Sequence, residues 1–261
     1  MTRPTPVGRP GGDGKTNRAE EKMVERSTHD YSPVYGYLRR PSLVDFPGRL
    51  AAVMFTAGCN FRCGFCHNAR LLGHTREGLP WERLATTCRE FREQWVDGVV
   101  VTGGEPTLWE NELLVLLEML RGFGFAIKLD TNGSRPDVLK KAAPLVDYVA
   151  MDVKCGLERH PEFVHFDSPE KIGDSVAFVK EHIPEHEFRT TVIEHVHTDE
   201  EMRAICSVIR GAKRYVLQPF LPREDLLDPQ LRTAPRTSPD RLAYLRDYMA
   251  DCAEEVVAQG E

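Results

Sequence analysis

Three cysteines stand within eight residues, in the run Cys59-Asn60-Phe61-Arg62-Cys63-Gly64-Phe65-Cys66. Thiolates hold iron–sulfur clusters, and a cubane that only carries electrons takes four of them. No fourth cysteine lies close by in the chain, so a cubane bound here keeps one iron free of protein ligands and able to take a substrate. A structural zinc with His67 as fourth ligand is the alternative. Zinc modules, however, draw their ligands in two separated pairs, and no second pair follows Cys66 at a suitable spacing. The seven cysteines are odd in number, in a chain far longer than a small stapled domain, which weighs against a disulfide framework. Cys88, Cys206 and Cys252 fall in helix patterns and read as small buried hydrophobes without a role.

Groups that bind a cluster and a substrate need a rigid frame. Short apolar runs at 51–56, 98–102, 125–130, 148–153, 187–193 and 214–218 read as buried strands. Between them, 81–95, 109–121, 135–145, 173–183 and 199–210 carry helical period, and 239–252 supplies a last helix. Thr198-Asp199-Glu200-Glu201 has the form of a capping box, and Ser238-Pro239 puts proline in a first helical turn. This alternation predicts an α/β fold with a mostly parallel sheet, either partly closed into a barrel or open and doubly wound.

In both architectures functional groups gather at the carboxyl ends of the strands. The unusual polar clusters fall there in phase. The cysteine run follows the first strand, Gly103-Gly104-Glu105-Pro106 the second, Asp130-Thr131-Asn132-Gly133 the third and Asp152-Val153-Lys154 the fourth. Each alone also reads as turn chemistry: Glu105 can cap the turn after it, and Asp130 and Asn132 are common turn formers. Lys154 follows an apolar strand, where a desolvated ammonium needs a carboxylate partner; Asp152 is one candidate.

With 41% hydrophobic and 28% charged residues, the 261-residue chain can build one sizeable core. No apolar run approaches the roughly 20 residues that cross a bilayer, and the first residues lack the apolar core of a secretory signal. A cytoplasmic protein is expected, in a compartment that keeps thiols reduced. A net charge of −6 supplies no global drive toward nucleic acid. Residues 1–30, rich in proline, glycine and polar side chains, read as a disordered extension.

The Cys-x3-Cys-x-aromatic-Cys pattern resembles the signature of the radical S-adenosylmethionine (SAM) superfamily. Ser42 to Gly48, residues 59–68, Thr102 to Thr107, Asp130 to Gly133, Met151 to Lys154 and Arg189 to Val192 are similar to its glycyl-radical-enzyme activating branch. Within that branch the text is most like the longer form of anaerobic ribonucleoside-triphosphate reductase activating proteins. The resemblance implies a radical SAM partial TIM barrel of (βα)6 form over 31–222, with 223–261 as a C-terminal loop and helix packing on it. It also implies a [4Fe-4S] cluster on Cys59, Cys63 and Cys66, whose open iron chelates the amino and carboxylate groups of S-adenosylmethionine. Reductive cleavage of the sulfonium then yields a 5′-deoxyadenosyl radical that takes hydrogen from a glycine of a partner.

By the same resemblance Gly103 and Gly104 let backbone approach the methionine moiety, and Glu105 and Asp130 meet its ammonium group. Lys154 pairs with its carboxylate, Arg189 holds carboxylate or ribose, and Phe65 packs near adenine. Asn132 orients the site through its amide. Gln218 stands where some relatives carry a histidine, as a hydrogen-bonding substitute. Cys155 lies beside Lys154, but no second cysteine cluster exists to build an auxiliary centre with it. His195 and His197 read as rim residues of a partner groove rather than a metal pair. The expected partners are a glycyl radical enzyme, by this resemblance the anaerobic ribonucleotide reductase, and a low-potential donor such as flavodoxin or ferredoxin. Activation of pyruvate formate-lyase, or radical chemistry on a small molecule or tRNA base, uses the same cofactor residues.

Overall fold

The computed structural model describes residues 30–73 and 78–259; the expected N-terminal extension lies outside them except for Asp30. The chain runs β1 (Val34–Tyr37), β2 (Ala51–Thr56), α1 (Trp81–Glu93), β3 (Gly98–Gly103), α2 (Glu110–Gly122), β4 (Ala126–Thr131), α3 (Pro136–Ala142), β5 (Tyr148–Asp152), α4 (His160–Phe163), α5 (Pro169–His182), β6 (His186–Val192), α6 (Asp199–Ile209), β7 (Ala212–Pro219), α7 (Pro239–Tyr248) and β8 (Ala253–Ala258). All eight strands form one sheet in chain order, with β1 antiparallel to β2 and every other pair parallel. The sheet is open, its edges being β1 and β8.

Alternation within each strand divides the side chains between two environments. In β4, Ile127 and Leu129 join the large apolar layer beneath the helices, with Leu116 and Leu120 of α2. Lys128 and Asp130 take the opposite, inner face. Phe188 and Val192 of β6 and Tyr215 and Leu217 of β7 likewise face the helices. The inner face has its own small core of Phe46, Ala51, Val53, Val100, Tyr148 and Ala150. Phe46, in the segment Ser42 to Gly48, closes this core from below, its ring 5.9 Å from that of Tyr148. The floor is therefore apolar and the upper inner face is left to polar groups.

Thr198 caps α6 through its hydroxyl, which accepts from Glu201 N–H at 3.3 Å, and Ser238 caps α7 in the same way at 3.2 Å. The reciprocal half of the capping box is missing. Glu201 instead accepts from Gly156 N–H at 2.7 Å and pairs with Arg159 at 3.0 Å, tying α6 to the loop after β5.

Three expectations are corrected. The barrel is not limited to six parallel strands: residues 253–258, just past the expected helix, form a strand that pairs with β7, so seven strands run parallel. Residues 223–261 thus contribute a strand to the main sheet as well as a loop and helix. β8 did not stand out as a strand because its text, Ala-Glu-Glu-Val-Val-Ala, carries two acids and follows α7 after only four residues. Finally, Cys206 and Cys252 are joined by a disulfide from α6 to the residue before β8, whereas Cys88 is the buried free thiol expected. No helix among the described residues is long and apolar enough to cross a membrane.

Leu245 of α7 is fully buried in the layer that holds β8 to the body. Leu245→Ala should cost about 2–5 kcal/mol, seen as a lower urea midpoint with an unchanged slope. A variant that unfolds like the parent would mean that the closing unit is not part of the cooperative core.

Candidate active site

At the carboxyl ends of the strands a cavity of about 250 Å³ opens on the inner face of the sheet. Cys59, Cys63, Cys66 and Phe65 line it from the loop after β2, and Gly103 and Gly104 from the end of β3. Asp130 and Asn132, Lys154, Arg189 and Gln218 line it from the ends of β4, β5, β6 and β7. Residues up to 159 apart in the chain meet here because parallel strands deliver all their carboxyl ends to one face.

The cysteine loop is held by the end of β3. Gly104 N–H donates to Thr56 O at 2.9 Å, and Glu105 N–H to Gly58 O at 2.7 Å. Gly103 sits at φ +123°, and a Cβ on Gly104 would lie 1.8 Å from Gly58 O, so only glycine lets the two segments approach. Burial pushes the Cys59 and Cys63 thiols up to about 12, helped at Cys59 by the Glu105 carboxylate, and raises Cys66 as well. Thiols in this state ionise only where a cation replaces the proton. Among the described residues, the one set of three or more potential ligands gathered within the span of a single ion is Cys206, Asp251 and Cys252, two of which are oxidised. Cys59, Cys63, Cys66 and His67 are spread too widely for one zinc. Three thiols around one cavity, Cys63 buried and Cys59 and Cys66 half-buried, fit a cluster whose irons take one thiolate each.

Glu105 departs from expectation. It is fully buried and does not line the cavity. Its Oε1 accepts from Thr107 N–H at 3.0 Å, Thr107 Oγ1 at 2.6 Å and Thr131 Oγ1 at 2.7 Å; its Oε2 accepts from Asn132 N–H at 2.6 Å. Burial raises its carboxyl while these donors pull it down. All of its acceptor capacity faces protein, so it clamps the turn after β4 to the turn after β3.

Charge in the cavity is arranged as a chain of alternating sign. Lys128 Nζ lies 2.9 Å from Asp130 Oδ1 and 3.7 Å from Glu187 Oε1. Arg189 bridges Asp130 at 3.1 Å and Asp152 at 3.0 Å, and Lys154 reaches Asp152 at 2.9 Å. Burial works to raise the Asp152 carboxyl, but Arg189 and Lys154 outweigh it and hold it at about 2. Asp130 is lowered by the same contest, with Arg189 and Lys128 on the winning side. Lys154 rises because Asp152 overcomes its desolvation. The four charged groups on the cavity wall, Asp130, Asp152, Lys154 and Arg189, sum to zero. A ligand with one ammonium and one carboxylate can exchange partners with them without leaving a charge unpaired.

Phe65 is stacked on Phe163, ring centroids 5.3 Å apart, with Lys154 Nζ 5.8 Å from its ring centre. Gln218 bonds to Gln259 at 3.1 Å on the rim. Sequence reasoning missed the cavity-lining positions Phe61, His67, Asn68, Thr102, Thr131 and Thr191. It treated Asp152 only as a partner for Lys154, although strand alternation from Asp130 and Arg189 marks the inner face. Two expectations near Lys154 change. His197 is buried, not on a rim: its Nδ1 accepts from Ile193 N–H at 2.9 Å and its Nε2 meets Lys154 O at 2.9 Å. Cys155 turns away from the cavity, its Sγ 3.5 Å from His160 Nδ1. His195 remains exposed.

Residues 53–209 match the profile of the Radical SAM superfamily. A protein of Methanocaldococcus jannaschii assigned as a glycyl-radical enzyme activating enzyme is 31% identical over 223 residues, 83% of this chain and 91% of its own. A 7-carboxy-7-deazaguanine synthase of Thermococcus kodakarensis is 31% identical over 126 residues, 41% of this chain and 50% of its own. Among solved structures, Streptococcus suis SuiB bound to S-adenosylmethionine superposes with a TM-score of 0.62 at 13% identity, over 94% of this chain and 55% of that one. The last is a likeness of fold. The chain spans about half the length of these latter two.

Replacing Cys59, Cys63 or Cys66 by alanine should abolish iron and sulfide uptake on anaerobic reconstitution, whereas Cys88→Ala should retain both; retention by any of the first three would remove it from the ligand set. The Asp152 carboxyl falls from about 3.9 unfolded to about 2 folded. Its contribution, about 2 kcal/mol, is present above the unfolded value and lost as pH drops toward the folded one. Asp152→Asn should therefore be less stable at neutral pH and show a flatter acid limb between pH ~4 and ~2 in pH-dependent urea unfolding.

Proposed function

Because this chain belongs to the radical SAM superfamily, we propose that it is an activase that installs a glycyl radical on a partner enzyme. It is a radical SAM enzyme, using a [4Fe-4S] cluster and S-adenosylmethionine. Once bound, that pair supplies hydrogen-atom abstraction from an unactivated carbon.

The observation that carries the reading is the convergence, in one cavity, of three thiols, Cys63 buried and Cys59 and Cys66 half-buried, and a charge-balanced set of Asp130, Asp152, Lys154 and Arg189. Cys59, Cys63 and Cys66 hold the cluster. Asp130 receives the ammonium of the methionine moiety and Lys154 its carboxylate, with Arg189 free to follow either the carboxylate or the ribose. Phe65, already stacked on Phe163, offers the wall against which adenine packs. Gln218 supplies hydrogen bonds at the edge, and Asn132 orients the site through its amide. Phe61, Phe65 and Phe163 exclude water from the neighbourhood of the thiols, as a site that handles radicals requires.

Support for an activase over other members comes from the Methanocaldococcus relative, which aligns with 83% of this chain. The sheet also leaves its two edges, β1 and β8, unpaired with each other, so an extended loop of another protein has a lateral route inward. The partner is an anaerobic ribonucleoside-triphosphate reductase, the electron donor flavodoxin or ferredoxin, and the setting the cytoplasm. The second reading, radical chemistry on a small molecule, is favoured by the deazaguanine synthase relative and shares every cofactor residue.

Anaerobic protein supplied with S-adenosylmethionine, a reductant and the reductase should give a glycyl radical doublet by electron paramagnetic resonance, with stoichiometric release of 5′-deoxyadenosine and methionine. A doublet on pyruvate formate-lyase instead would change the partner alone. Turnover of a small substrate with no protein partner would replace the activase reading. Lys154→Ala should keep its iron and weaken S-adenosylmethionine binding at least tenfold, the equivalent of about 1.4 kcal/mol.

A further inference from the structure

The turn after β4 aims a side-chain amide at one of the three thiols. Ser134 N–H donates to Asn132 Oδ1 at 2.9 Å, which fixes the oxygen end of that amide. Its Nδ2 therefore points the other way, 3.0 Å from Asn60 Oδ1 and 3.8 Å from Cys59 Sγ. One of the two N–H bonds is taken by Asn60, whose own Nδ2 donates to Ser134 Oγ at 2.8 Å. The second is directed at sulfur. Asn132 is 6% exposed, so this N–H has little recourse to water, and a buried donor needs an acceptor.

Nothing in the turn is free to swing. Asn132 N–H is bound to Glu105 Oε2 at 2.6 Å. Gly133 sits at φ +75°, a backbone conformation that a side chain would strain, with the Met151 thioether packed against it. Cys59 Sγ receives a second N–H, from the backbone of Phe61 at 3.4 Å.

From this geometry we infer that Asn132 is a positioning residue that tunes the metal centre, its amide N–H directed at Cys59 sulfur raising the electron affinity of the cluster. Reduction adds negative charge that is spread onto the sulfur ligands, and a hydrogen-bond donor at sulfur stabilises the reduced state more than the oxidised one. Removing the donor lowers the potential. Glu105 acts one step further back, by holding the Asn132 backbone. The inference concerns the cluster alone and stands whichever partner or substrate receives the radical.

Asn132→Asp and Asn132→Ala remove the donor in two ways, since aspartate retains the oxygen that Ser134 N–H needs and exchanges the N–H group for a charged oxygen. After anaerobic reconstitution, iron and sulfide would be counted and the midpoint potential measured by titration followed by electron paramagnetic resonance. Both variants should hold wild-type iron and show lower midpoints, with aspartate lower still because it adds a charge. An unchanged midpoint in Asn132→Ala overturns the inference. If that variant takes up no iron, Asn132→Asp provides the reading, with a midpoint below that of the wild type. An unchanged midpoint there overturns the inference equally.

Discussion

Six charged side chains of alternating sign, Glu187, Lys128, Asp130, Arg189, Asp152 and Lys154, run across the inner face of β4, β5 and β6 and onto the loop after β5. Each is an expense to the fold, because a desolvated ion is tolerated only beside a counter-ion with good geometry. Together they neutralise one another. Removing one member strands its neighbours, at a cost of about 3–5 kcal/mol for a broken buried pair, so the composition of the chain is tightly constrained. What the arrangement provides is a polar wall with two carboxylates and two cations on rigid strand ends. Preorganised charge of that kind binds a zwitterion without ordering any loop.

The apolar floor makes the wall possible. Phe46, Val53, Val100, Tyr148 and Ala150 fill the lower part of the inner face, which leaves the carboxyl ends of the strands to the polar groups. Above the floor, the glycines of β3 serve close packing of backbone more than contact with a ligand. Through them Thr56 and Gly58 are brought against the turn that carries Glu105. Glu105 then ties that turn to Thr131 and Asn132. The cysteine loop, the glycine turn and the Asp130 turn thus form one hydrogen-bonded unit, and the position of a thiol is coupled to that of an acid on another strand. The loop at 220–236 braces the same unit from outside, where Asp228 N–H donates to Gly64 O at 3.0 Å.

Much of this was legible in the text. The six inner strands stand out because their apolar runs are buried on the helix side, and the polar clusters at their ends fall in phase with the alternation of strand and helix. Less legible was anything that depends on a neighbour. β1 and β8 are short edge strands, and their pairing is decided by β2 and β7 rather than by their own residues. Cys206 and Cys252, 46 positions apart, each lie in plausible helix text, and only the approach of α6 to the start of β8 joins them. His197 carries the same identity on a rim or in a core. Its burial follows from the turn that α6 makes beneath Lys154.

Local chemistry made legible the three cysteines as candidate ligands, the superfamily, the order of β2 to β7 with the helices between them, and eleven of the eighteen residues on the cavity wall, since these are written in spacing, residue type and period. The tertiary structure alone decided how the wall is used: that Glu105 turns inward to clamp two loops, that Arg189 bridges two acids, and that the Asn132 amide meets Cys59 sulfur. The reason is directional. A carboxylate or an amide has the same letter whether it faces ligand or protein, and which it faces depends on donors and charges delivered by strands distant in the chain.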